Sequence, residues 1–91
     1  MNIQELYALI CDRRDNPTPN SYTARLLAAG EDEILKKVGE EAIEVILAAK
    51  AQGNQRTIEE IADLTYHVLV LLAAKGLTPP EVAAELSRRH Q

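Results

Sequence analysis

The sequence contains no tryptophan and no phenylalanine, and its only benzene-ring side chains are three tyrosines. A hydrophobic core must therefore come from Leu, Ile, Val and Ala, which supply most of the 46% hydrophobic content. Such an aliphatic composition suits packed helices. The single cysteine, Cys11, excludes an internal disulfide and fits a reducing cytosol.

Other absences narrow the class of protein. No signal peptide is recognisable, and the longest apolar run, 68–74, is far shorter than the roughly 20 residues that span a bilayer. The net charge of −4 disfavours a nucleic-acid-binding surface. Glycine-rich phosphate loops, HExxH, CxxC and nucleophile-elbow motifs are all missing. We therefore expect a cytoplasmic protein that binds neither nucleic acid nor membrane.

Ninety-one residues predict a single domain over 1–91, with a core of marginal size. Apolar spacing predicts an all-α bundle of about four to five helices. Capping residues and glycines place these helices at about 2–12, 22–29, 31–51, 55–75 and from 79 onward. The two prolines within 16–20 predict a loop between the first two helices.

The long helix 31–51 carries an acidic stripe between two apolar flanks. At about 100° per residue, one sector of its helical wheel holds Lys37, Glu40, Glu41 and Glu44. A surface helix normally has one apolar stripe and a broad polar back. We therefore expect this helix to pack on both sides, its acids facing a cleft and the core completed by dimerisation.

A second acidic face lies on the helix 55–75. Glu60, Asp63 and His67 share one face, although this helix is apolar nearly all round. Carboxylates there are costly unless they are paired or bound to a metal. Since Glu41/Glu44 and Glu60/Asp63 have the same spacing, antiparallel packing would bring the two pairs face to face.

Facing carboxylates indicate a divalent cation. Like charges about 4 Å apart cost around 4 kcal/mol at an effective dielectric near 20. Oxygen ligands favour Mg²⁺, which is usually completed by substrate phosphates. Lys36 and Lys37, one turn before Glu40 and Glu41, are placed to neutralise a polyphosphate. Water would then attack phosphorus, with one carboxylate positioning it or taking its proton.

Interpretations without a metal or catalytic site also remain open for these acids and for His67. The EExxE spacing also occurs on solvated helix faces, and Thr57 with Glu60 matches a capping box. His67 is equally explained as a core histidine with satisfied hydrogen bonds. A helical interaction module without catalysis remains a different class of function.

The acidic motifs carry a family resemblance. EExxE (Glu40, Glu41, Glu44) followed by ExxD (Glu60, Asp63) resembles the all-α, MazG-like nucleotide pyrophosphohydrolases. Within them the chain is similar to the phosphoribosyl-ATP pyrophosphatases of histidine biosynthesis. The similar stretches are 21–26, 34–42, 62–67 and 86–90; within them Thr65 replaces a residue that is usually apolar in the family.

The resemblance implies Mg²⁺-dependent hydrolysis of phosphoribosyl-ATP to phosphoribosyl-AMP and pyrophosphate, by attack at the α–β phosphoanhydride. The implied metal ligands are Glu41, Glu44, Glu60 and Asp63. The implied catalytic carboxylates are Glu40, Glu41 and Glu44. The implied substrate-binding residues are Lys36, Lys37, Arg25, His67, Arg88 and Arg89. The relatives are homodimers or larger homo-oligomers. The closest alternative is an enzyme that hydrolyses non-standard dNTPs.

Overall fold

A computed structural model describes residues 1–91 and contains five helices and no strands. The helices are α1 (Ile3–Asp15), α2 (Tyr22–Ala29), α3 (Glu31–Ala51), α4 (Gly53–Lys75) and α5 (Pro79–Arg89). The predicted all-α class and the number of helices are confirmed.

Helix α1 begins where it was predicted and ends later. The Asn2 side chain accepts the Glu5 N–H at 2.8 Å, and the Glu5 carboxylate accepts the Asn2 N–H at 3.2 Å. This capping box starts the helix. The C-terminal end lies at Asp15 rather than near residue 12, because Pro17 disfavours helical backbone only at the residue before it, Asn16.

Helices α2 and α5 also begin at the capping residues that the sequence predicts. Ser21 accepts the Ala24 N–H at 3.1 Å, and Thr78 with Glu81 forms the predicted capping box. Helix α4 begins two residues earlier than predicted, at Gly53. The Thr57 hydroxyl donates to the Gly53 carbonyl at 2.8 Å. The capping-box interpretation of Thr57 and Glu60 is therefore wrong.

The buried core lies where α1, α2, α3 and α4 meet. Its six apolar residues are Ile10, Leu26, Ile34, Leu69, Val70 and Ala73. Two polar contacts tie α1 to the end of α4: the Tyr7 hydroxyl donates to the Leu77 carbonyl, and Arg14 donates to the Ala73 carbonyl at 2.8 Å. The core therefore holds the first part of α3 and the last part of α4.

Helices α3 and α4 form a long antiparallel hairpin that extends beyond this core. Gln52 is the only residue between them, and Gly53 has a φ of +88°, which favours glycine. Several large apolar side chains near this turn are exposed: Ile43, Ile46, Leu47, Ile58 and Ile61. The accessible surface of 6165 Å² exceeds the about 5,300 Å² typical of a monomer of 10.1 kDa.

Helix α5 is only loosely packed, since its apolar side chains Val82 and Leu86 are 46% and 55% exposed. The left-handed Gly76 ends α4, and α5 leaves at an angle of 106° to it. Val82 and Leu86 line an open groove together with Leu69 and Leu72 of α4. No helix by itself is long and apolar enough to cross a membrane; only the bent α4–α5 pair passes on length and composition.

Candidate metal and substrate site

Three carboxylates meet across the α3–α4 hairpin. Ligand oxygens of Glu41, Glu60 and Asp63 all lie within 4.8 Å of one another. Glu60 is 7% exposed, Glu41 is half-buried, and Asp63 is exposed. The spacing of the two acidic pairs thus places acids from both helices in one cluster, which opens to solvent on the side of Asp63.

The electrostatics of Glu41 reflect its burial and the negative charges beside it. Burial raises the pKa of the Glu41 carboxyl above its usual value, and the charge of Asp63 raises it further. His67 and Lys37 act in the opposite direction but do not cancel the rise. Clustered carboxylate oxygens with unrelieved repulsion are the donor set that a hard divalent cation such as Mg²⁺ prefers.

The other two predicted acids lie outside the cluster. Glu44, one turn after Glu41 on α3, is half-buried and is not among the three carboxylates that converge. Glu40 is exposed on the same helix. The structure therefore brings together three of the four carboxylates predicted as metal ligands.

Arg56 is a residue of this site that the sequence reasoning missed. Its guanidinium donates to both Glu59 and Glu60, from one turn earlier on α4. The i, i+4 spacing of Arg56 and Glu60 is the signal that would have revealed the pair.

His67 is buried, and both of its ring nitrogens have partners. Nδ1 lies 2.8 Å from the carbonyl of Asp63, and because a carbonyl only accepts, Nδ1 carries a proton. Nε2 lies 3.2 Å from the Tyr22 hydroxyl. This arrangement matches the core-histidine interpretation, since a phosphate could reach the ring only by displacing a partner.

The contact between α2 and α4 joins two segments of the family motif. Beside the Tyr22–His67 contact, the Thr23 hydroxyl is hydrogen-bonded to the Tyr66 hydroxyl. The rings of Tyr66 and His67 meet edge to face at 4.9 Å, and burial raises the pKa of Tyr66. The N-terminus of α2 is thereby fixed about one helical turn along α4 from Asp63.

The predicted phosphate-binding cations are spread over three helices. Lys36 is exposed and Lys37 is half-buried on α3, and Lys37 is close enough to act on the pKa of Glu41. Arg25 is exposed on α2 and donates to the Pro19 carbonyl at 3.5 Å. Of the predicted lysines and arginines, only Lys37 acts on the acidic cluster.

The two arginines near the chain end are held on their own helix. Arg88 and Arg89 both pair with Glu85 on α5. Both side chains are exposed, so these ion pairs are easily exchanged for others. Within one chain they are not positioned at the carboxylate cluster by any contact.

Comparisons with known proteins agree on one family. The family described as phosphoribosyl-ATP pyrophosphohydrolase matches residues 3–90. A phosphoribosyl-ATP pyrophosphatase of Pelotomaculum thermopropionicum is 55% identical over 98% of this chain and 91% of its own length. One of Sulfurisphaera tokodaii is 48% identical over 96% of this chain and 93% of its own.

The crowding of the three acids predicts an unusual stabilising substitution. Glu41→Gln removes one like charge and retains the shape, so the metal-free protein at neutral pH should become more stable by about 1 kcal/mol, or roughly 4–8 °C in Tm. Glu40→Gln, which removes an exposed charge from the same helix, is the control and should change little. Thermal melting in chelator measures both, and a lower Tm for Glu41→Gln would contradict the prediction.

Proposed function

The chain belongs to the phosphoribosyl-ATP pyrophosphohydrolase family, and we propose that it hydrolyses phosphoribosyl-ATP to phosphoribosyl-AMP and pyrophosphate in histidine biosynthesis. The observation that carries the proposal is the cluster of Glu41, Glu60 and Asp63, which suits a metal-assisted attack on a phosphoanhydride. A cytoplasmic location is part of the proposal, and the lone Cys11 fits a reducing compartment.

The proposed metal is Mg²⁺, held by Glu41, Glu60 and Asp63, with Glu44 as a fourth ligand after rotation of its side chain. When bound, the ion supplies a Lewis acid that neutralises the charge on the phosphate oxygens. Glu44 is the only other acid of the stripe that is partly buried, since Glu40 is exposed. We assign Glu40, Glu41 and Glu44 as candidates to position the attacking water and take its proton at a carboxylate oxygen.

The rest of the substrate requires cations and hydroxyls beyond the acidic cluster. Lys36 and Lys37 lie one turn before the acids of α3 and are proposed to bind the polyphosphate. Arg25, on the helix that Tyr22 anchors to α4, is proposed to bind the second ribose-phosphate. Arg88 and Arg89 reach the site only if a partner subunit supplies them. In this proposal His67 has an indirect role, because its ring holds the Tyr22 hydroxyl in place.

The function is tested by comparing substrates. Pyrophosphate release with Mg²⁺ should show a higher kcat/KM for phosphoribosyl-ATP than for any dNTP, because only the former carries the second ribose-phosphate. Activity should disappear in chelator and return with Mg²⁺. A preference for a dNTP would favour the alternative nucleotide-clearing activity, and no hydrolysis of either would favour a helical interaction module.

The fourth ligand has its own test. Glu44→Gln keeps the size and polarity of the side chain but removes its charge, so turnover at saturating Mg²⁺ should fall by orders of magnitude while the helix content is unchanged. Glu33→Gln, an exposed change on the same helix, is the matched control. Near-wild-type turnover of Glu44→Gln would remove this residue from the metal site.

We also propose that the active form is a homodimer or a larger homo-oligomer. The proposal is supported by the exposed apolar residues of the hairpin and by the excess accessible surface of the single chain. An obligate interface buries roughly 2,000 Å² or more, and only apolar surface on this scale makes it stable. The carboxylate cluster lies on the same hairpin, which supports a site beside the proposed interface.

Sedimentation measures the oligomeric state directly. The wild type should sediment as a dimer or larger at micromolar concentration. Ile46→Glu, which places a charge where the side chain is 66% exposed, should dissociate it because the charge would be desolvated in the interface. Leu9→Glu on α1 is the control and should remain associated. A folded and active wild-type monomer would refute the proposal.

A further inference from the structure

Glu60 differs from the other two carboxylates of the cluster because it is paired with a cationic side chain. Its Oε1 accepts from Arg56, whereas the carboxylates of Glu41 and Asp63 have no hydrogen bond or ion pair in the chain. The Glu60 side chain is 9% exposed and that of Arg56 is 47% exposed. The pair thus joins a nearly buried anion to a cation that extends towards solvent.

A nearly buried carboxylate is costly when it has no partner. In the metal-free chain Arg56 is the partner of the Glu60 carboxylate, and its planar, forked guanidinium donates to Glu59 at the same time. Because Glu59 is exposed and pairs with Nη1, the guanidinium keeps one carboxylate when it releases the other. The arrangement therefore allows the Glu60 pair to open without leaving Arg56 unpaired.

We propose that Arg56 is a positioning residue that occupies Glu60 in place of the divalent cation and releases this carboxylate when the metal binds. The inference rests on the proposed metal site. A guanidinium and a metal ion at the same carboxylate repel each other, so metal binding must displace one bond of the fork. Arg56 consequently keeps Glu60 oriented in the empty site and lowers the affinity for the metal.

The direct test measures the affinity for Mn²⁺ in two ways, by calorimetry and from the electron paramagnetic resonance signal of free Mn²⁺. Arg56→Gln should bind Mn²⁺ about three- to tenfold more tightly than the wild type, since no cation competes for Glu60. Arg13→Gln removes an arginine paired with Asp12 on α1 and should leave the affinity unchanged.

A second measurement separates competition at Glu60 from a general effect of charge. Metal-free Arg56→Gln should melt below the wild type, and saturating Mn²⁺ should bring the two together. In a Glu60→Gln background, which leaves no buried anion to pair, Arg56→Gln should no longer lower the Tm of the metal-free protein. This double-mutant cycle isolates the pair.

The failures of the two proposals can be told apart. If the wild type binds Mn²⁺ but Arg56→Gln binds it equally or less tightly, Arg56 does not compete with the metal and the inference is overturned, while the metal site stands. An unchanged effect of Arg56→Gln in the Glu60→Gln background overturns it as well. If the wild type binds no Mn²⁺, the metal site and the inference both fail.

Discussion

The repulsion among three carboxylates is the constraint on which the rest of this structure depends. Glu41, Glu60 and Asp63 are held together although burial and the charge of Asp63 raise the pKa of Glu41. A flexible loop would relax by moving the acids apart. Here two long helices present them, and these helices are joined by a single residue at one end and by the apolar core at the other. The hairpin therefore holds the carboxylates together although only Glu60 has a cation paired with it.

The separation of the acidic cluster from the apolar core explains why so little of the chain is buried. Only ten residues are buried, and the apolar ones lie mainly where α1 and α2 cover one end of the hairpin. The acids lie in the part of the hairpin closer to the turn at Gln52 than the six core residues. Ile43 and Ile61, the exposed neighbours of Glu44 and Glu60 in sequence, lie in that part as well. A partner subunit that covered them would also exclude water from the site and strengthen its electrostatics.

Periodicity and capping residues predicted the fold well, because both act locally. The helix bounds differed only where the signal was indirect, as at Asp15, where the effect of Pro17 reaches one residue and no further. Facing acids were predictable from equal spacing on antiparallel helices. The spacing did not reveal that Glu44 stays outside the cluster of the other three acids, and the direction of α5 depends on the bend at Gly76.

The proposed metal site and the proposed selectivity for substrate rest on different parts of the fold. Carboxylates that bind a divalent cation do not distinguish one nucleotide polyphosphate from another, so we propose that discrimination involves Arg25 on the neighbouring α2. That helix is fixed to α4 by Tyr22 on His67 and by Thr23 on Tyr66. Since His67 also bonds the carbonyl of Asp63, one buried side chain connects the backbone of a proposed metal ligand to the helix that carries Arg25. The polar network between these helices therefore connects the carboxylate cluster to the helix that we propose contributes to substrate selectivity.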